Sequence, residues 1–187
     1  MQFWKKKDNL IIAGCVGLFF VMLLFCHDLS CVRAAFPGGG SPALHVSFLD
    51  KSGKPHTLAE FKGKPVIVNF WATWCPSCVQ EMDSMNAFAK KFAAKGGRLV
   101  AISEDNGGSL TVQGFYTRHG YNNLPVYLDN NGALSSAFAA SGLPTSILID
   151  ARGNEVARFS GAIDWEGPKM QELVRKHFGM KLDFSAK

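Results

Sequence analysis

Cysteine is scarce and unevenly placed. There are five in 187 residues, too few for a disulfide-stapled scaffold, and only Cys75 and Cys78 lie beyond Ala34. Charge is thin as well, at 19% of residues, while the apolar share of 47% is that of a chain able to bury a core. Intrinsic disorder is thereby excluded as the main state. The formal charge of +5 draws no basic stripe. Lys5, Lys6, Lys7 and Arg33 fall in the leader and the other basic residues are scattered among acidic ones, which excludes a nucleic-acid partner. No internal repeat is visible, and the length suits one domain with some chain to spare.

The spare chain lies first. Three lysines precede eighteen uncharged residues, Asn9 to Cys26, with no polar face. As a helix they would span about 27 Å, close to the hydrocarbon thickness of a bilayer. Residues 1–8 then read as a basic cytoplasmic end, 9–27 as a transmembrane anchor or signal sequence, and the rest as facing outward. Val32-Arg33-Ala34 would serve as a cleavage site, but the long apolar run favours an uncleaved anchor. Ile12-Ala13-Gly14-Cys15 fits a lipoprotein signal locally and comes too early in the run. Cys15, Cys26 and Cys31 read as small apolar residues or a juxtamembrane thiol. Residues 28–42, ending in AFPGGGSP, form a linker. A globular domain is expected over 43–180, with a short tail over 181–187.

Within the domain the pattern predicts a strand over 44–50, a turn over 51–54, and a short helix capped by Thr57. Val66 to Trp71 is continuously apolar, as in a central strand covered on both faces. A helix over 76–95 follows, its stripe formed by Cys78, Met82, Met85, Phe88, Ala89 and Phe92. Strand 99–103, helix 110–119, strand 125–129 and helix 133–140 come next. A hairpin of strands 145–150 and 155–160 precedes a last helix from Pro168 to Gly179. The fold class is α/β, a mixed central sheet with a parallel heart, flanked by helices. Phe70, Phe88, Phe92 and Phe138 are expected in the core.

Trp74-Cys75-Pro76-Ser77-Cys78 falls where the central strand gives way to its helix. Free N–H groups and the dipole at a helix N-terminus favour a thiolate over a thiol. Pro76 suits the first turn because its missing N–H is not needed there. Cys75 at the exposed tip is the expected nucleophile, and Cys78, on the apolar stripe, the buried resolving thiol. Zinc is set aside, since no second cysteine pair lies beyond the leader and no histidine lies near in sequence. A static structural disulfide closing so short a loop would constrain little.

The segment VIVNFWATWCPSCVQE, residues 66–81, resembles the active-site stretch of the TlpA/ResA type: membrane-anchored periplasmic thioredoxin-like thiol-disulfide oxidoreductases. Gly63-Lys64-Pro65, Gly142-Leu143-Pro144-Thr145, Gly153 and Asp164-Trp165 extend the resemblance over 43–180. It implies a thioredoxin-like fold and a cis Pro144 beside the cysteines. Leu143 would then offer its backbone to a substrate strand, with Trp74 and Pro76 at the same binding face. It also implies a role for Glu81 in moving protons or tuning the thiols, against the alternative of a solvated helix residue. Asn69 occupies the place where cytoplasmic thioredoxins carry a buried Asp. Asp83 stands where the family often has proline, which puts the helix kink and the local charge in question.

The resemblance implies a reductase of disulfides in exported proteins, apocytochrome c among them, fed by a thiol-reducing membrane electron donor. Exchange between thiols needs no cofactor. A thiol oxidase or isomerase on the same scaffold is the first alternative, because tens of millivolts separate the two directions. A copper-delivery protein is the second, and would need His119, Met82 or Met85 beside the cysteine pair. His119 otherwise reads as a charge at a helix C-terminus. A peroxidase is disfavoured by Ala72, where its reactive site would need Thr.

Overall fold

The computed structural model describes residues 41–184. The expected anchor at 9–27 lies outside them, and among the described residues no helix is long and apolar enough to cross a membrane. A 3₁₀ turn at Pro42–His45 leads into β1 (Ser47–Asp50) and β2 (Pro55–Thr57), followed by a second 3₁₀ turn at Leu58–Phe61. Then come β3 (Val66–Trp71), α1 (Pro76–Ala94), β4 (Arg98–Ser103), α2 (Gly108–His119), β5 (Tyr127–Leu128) and α3 (Ala133–Ala137). The hairpin β6 (Thr145–Ile149) and β7 (Glu155–Ser160) precedes α4 (Pro168–Phe178).

The seven strands form one sheet in the order β2-β1-β5-β4-β3-β6-β7. β3, β4 and β5 are parallel, and the outer pairings are antiparallel. From β3 to β4 to β5 the chain steps across the sheet in one direction. Right-handed crossovers therefore put α1 and α2 on the same face, where both bury their stripes together with α4. The return from β5 to β6 carries α3 over the opposite face, against Val66, Val68, Phe70 and Ile147. Strand alternation then sorts the fully buried β3: Ile67 and Trp71 join the α1 core, and the residue between them, Asn69, points the same way.

Phe70, Phe88, Phe92 and Phe138 are buried, as the sequence predicts. Two departures are local. The first strand begins at Ser47 because Ser41 caps a 3₁₀ turn over the preceding residues. The residues after the 51–54 turn double back as β2, which carries no apolar run to announce it. His56 locks this edge, its Nδ1 at 2.9 Å from Glu60 and its Nε2 at 3.2 Å from Asp50. The 181–184 segment lies against α1: Leu182 is buried and Phe184 stacks on Phe88.

Gly97, which turns the chain from α1 into β4, has its open side filled by the Phe92 ring; a Cβ there would overlap it. Phe92 is fully buried and has no room to retreat. Gly97→Ala is therefore expected to destabilise the domain by about 1–3 kcal/mol, the usual cost of overpacking. Urea titration checks this, and an unchanged midpoint would show that the ring yields freely.

Candidate active site

β3 delivers the chain to the cysteine turn and α1 leaves from it. Cys75 is the N-cap residue of α1, in extended conformation, with Pro76 in the first turn. Its Sγ accepts the Cys78 N–H at 3.3 Å and stands 3.4 Å from Ser77 Oγ. The two cysteines form a disulfide, with Cα atoms 5.3 Å apart. Cys75 is less exposed than its expected place at the tip would suggest: 5% against 0% for Cys78. The order of accessibility matches the expectation, but both sulfurs sit within the α1 core. The exposed feature is Trp74, at 64%.

β6 pairs antiparallel with β3, with Thr145 opposite Phe70. That register brings Pro144 to the sheet end where β3 exits toward Cys75. The Leu143–Pro144 peptide is cis. Pro144 O accepts Gly161 N–H at 2.9 Å and Thr145 Oγ1 donates to Gly142 O at 2.6 Å, so the loop is held from both sides. Leu143 is half-buried and touches both cores.

Glu81 is no solvated helix residue. It is 2% exposed on the inner face of α1, three residues beyond Cys78. Asn69 Nδ2 donates to its Oε1 at 3.0 Å and to Ser146 Oγ at 2.9 Å, while Ile163 N–H donates to Oε2 at 3.0 Å. Burial pushes its pKa up to about 7, against the opposing pull of these hydrogen bonds. A groove of about 380 Å³ between α1 and the 162–164 loop, lined in part by Glu81, Ser84 and Ile163, connects it to solvent. The carboxylate missing at position 69 is thus supplied from the helix and held by Asn69. Asp83 accepts Tyr121 O–H at 2.7 Å, and α1 continues unbroken past it.

Sequence reasoning left Ser146, Ile163, Thr73 and Asp105 out of the site. The 162–165 loop carried a signal in Asp164-Trp165; the others carried none. The ligands a copper carrier would need are not gathered. Met82 and Met85 are fully buried in the core, and the His119 ring packs on Phe115 and Tyr121 at the C-terminal end of α2. Among the described residues no three His, Cys, Asp or Glu side chains are placed to share a metal.

A disulfide-bonded cysteine pair at a helix N-terminus, set on a mixed sheet with a cis-proline loop, defines a thioredoxin-like protein of the thiol-disulfide exchange class. Residues 39–174 match the Redoxin family. The thiol-disulfide oxidoreductase ResA of Bacillus subtilis (strain 168) is 33% identical over 164 residues, covering 85% of this chain and 89% of its own. ResA of Halalkalibacterium halodurans is 32% identical over 163 residues, covering 87% and 88%. The crystal structure of a thiol:disulfide interchange protein of the thioredoxin family from Chlorobium tepidum TLS superposes with a TM-score of 0.62 at 31% identity, covering 75% of this chain and 97% of that one. The chain belongs to the redoxin family, as a ResA-type thiol-disulfide oxidoreductase of thioredoxin-like fold.

Proposed function

We propose that the protein is a reductase of disulfides in exported proteins, fixed to the bacterial inner membrane with its catalytic domain in the periplasm. The reading is carried by Cys75 at the α1 N-terminus, its sulfur on the Cys78 N–H, with Glu81 buried one helical turn behind. In the dithiol form the Cys75 thiolate attacks one sulfur of the substrate disulfide. That S–S bond breaks, a mixed disulfide forms, and the first substrate thiolate leaves. Cys78, deprotonated by Glu81, then attacks Cys75 Sγ. The Cys75–Cys78 disulfide forms and the second substrate thiolate leaves; the two substrate thiolates take one proton from solvent and the one that Glu81 accepted from Cys78, so the substrate gains two electrons and two protons. A thiol-reducing membrane donor returns the electrons.

Trp74 and Pro76 on one side and Leu143 and Pro144 on the other form the substrate face, with the Leu143 backbone pairing an extended substrate segment. Apocytochrome c, whose haem attachment uses a closely spaced cysteine pair, is the substrate class we favour. The lysines at 5–7 and the uncharged run that follows support membrane attachment.

Rapid alkylation of thiols in cells, followed by the mass of the intact chain, tests this reading. Two labels added at Cys75 and Cys78 are expected, with residues 1–34 retained. A resting disulfide would reverse the direction of electron flow and make the protein an oxidase. A chain that begins after Ala34 would replace the anchor with a cleaved signal.

A further inference from the structure

A second buried carboxylate lies on the β4 flank of the cysteine turn, and the exchange steps do not use it. Asp105 follows β4 and is 3% exposed. Its Oδ2 accepts Thr73 N–H at 3.0 Å and Ser103 O–H at 2.7 Å, and its Oδ1 accepts Thr73 Oγ1–H at 2.6 Å. Its own N–H donates to Ser103 Oγ at 3.0 Å. The neighbouring Glu104 N–H bonds Trp71 O at 2.9 Å, and Cys75 N–H bonds Ala72 O at 3.2 Å. Thr73 is therefore tied twice to one buried carboxyl group, while Trp74, the next residue, stands out into solvent. Thr73 is the last residue anchored to the sheet before the reactive turn.

The tie matters most when the disulfide is open. In the oxidised form the S–S bond itself holds Cys75 over Cys78. Once it is broken, the sulfur's place depends on the backbone that carries it. We infer that Asp105 is a positioning residue for the nucleophile: through Thr73 it holds the Trp74–Cys75 turn, keeping Cys75 Sγ within reach of Cys78 in the dithiol and in the mixed disulfide. This rests on the proposed roles of Cys75 and Cys78. It adds that the resolving step owes part of its speed to a clamp reaching from β4. A sulfur held close to its attacker gives an effectively unimolecular step, and a loosened one forfeits part of that gain.

The test uses the full-length chain carrying glutathione on Cys75 as a mixed disulfide. Cys78 attacks Cys75 Sγ, the bond to glutathione breaks, and glutathione leaves as a thiolate that takes a proton from solvent. Glutathione release gives the closure rate. Alkylation of reduced Cys75 by iodoacetamide gives its reactivity without any demand on Cys78. Asp105→Ala is expected to slow closure about tenfold and to change alkylation less than about twofold. Thr73→Val, which loses the Oγ1 bond and keeps the N–H bond, should slow closure about threefold, and Thr73→Ser should match the parent. Asp105→Ala combined with Thr73→Val should be no slower than Asp105→Ala alone, because both remove one interaction.

If Asp105→Ala lowers the melting temperature and leaves closure unchanged, Asp105 is structural only. If it does not fold, Thr73→Val and Thr73→Ser decide: equal closure rates overturn the inference. Fully additive effects in the double variant show that Asp105 does not act through Thr73, and overturn it as well. A parent chain that never closes, or that carries glutathione on Cys78, sinks the assignment of the two cysteines instead.

Discussion

Serine at position 75 is expected to bring disulfide exchange down to the uncatalysed background, while serine at position 78 leaves the first attack intact and traps the mixed disulfide. The asymmetry follows from where the two sulfurs lie. Cys75 caps α1 with its Sγ and is 5% exposed as a residue, whereas Cys78 is fully enclosed. An attacking sulfur needs access to a large partner; a resolving sulfur needs access only to its neighbour. Both variants should fold. A bridge across two intervening residues contributes about 2 kcal/mol on the chain-entropy relation, little beside the core formed by Trp71, Phe88, Phe92 and Trp165. Insulin reduction and non-reducing gels of affinity-purified protein read the two outcomes. Exchange retained by Cys75→Ser would refute the assignment of the nucleophile. If Cys78→Ser recovers no linked protein from cells, the reductase reading loses its substrate.

Glu81→Gln is expected to alter stability and turnover together, each with a pH signature. The folded carboxyl has its pKa raised to about 7 from an ordinary 4.5. Below pH 4.5 both folded and unfolded chains hold the proton, and Glu81 costs nothing. As pH rises through the interval, the unfolded chain releases the proton first and the folded state loses ground, until the full cost is reached above about pH 7. At about 1.4 kcal/mol per pH unit, that cost is on the order of 3 kcal/mol. Glutamine removes it but offers one acceptor oxygen to the two donors Asn69 Nδ2 and Ile163 N–H, giving back about 1 kcal/mol. The variant should therefore be about 2 kcal/mol more stable than the parent at pH 8. Its stability should also be nearly level between pH 5 and 8 on this account. Turnover should fall by about a hundredfold, the usual weight of a positioned proton carrier, and its inflection near neutrality should vanish. Denaturant titrations across pH and a pH–rate profile measure these effects. A parent stability that stays flat from pH 5 to 8 would show that Glu81 is ionised throughout.

These expectations divide according to how much of their basis is local in the chain. The run from Val66 to Trp71, followed by Cys75-Pro76 and a stripe at helical spacing, announces strand, turn and helix within thirty residues. Propensity, capping and periodicity all agree there, and the structure follows with shifts of a residue or two at the ends. The hairpin about Gly153 and the last helix between Pro168 and Gly179 are legible for the same reason. β2 is not, because Pro55-His56-Thr57 carries no burial pattern and exists as a strand only through its pairing with β1.

The site splits the same way. Its cysteine pair, three residues apart at a helix start, is what the sequence by itself determined: helix N-terminal polarity and sulfur spacing act over a single turn. Tertiary structure alone decided which polar groups are buried on the elements that carry the cysteine turn. Glu81 at its helical position is compatible with solvent or core, and became a buried acid because Ile163, 82 residues away, and Asn69 on β3 close over it. The bond from Asn69 to Ser146 spans 77 residues, and Thr73 meets Asp105 across 32. Such contacts depend on strand order and on which face each crossover takes. Those are set by the packing of the whole sheet, and no window of neighbouring residues carries them.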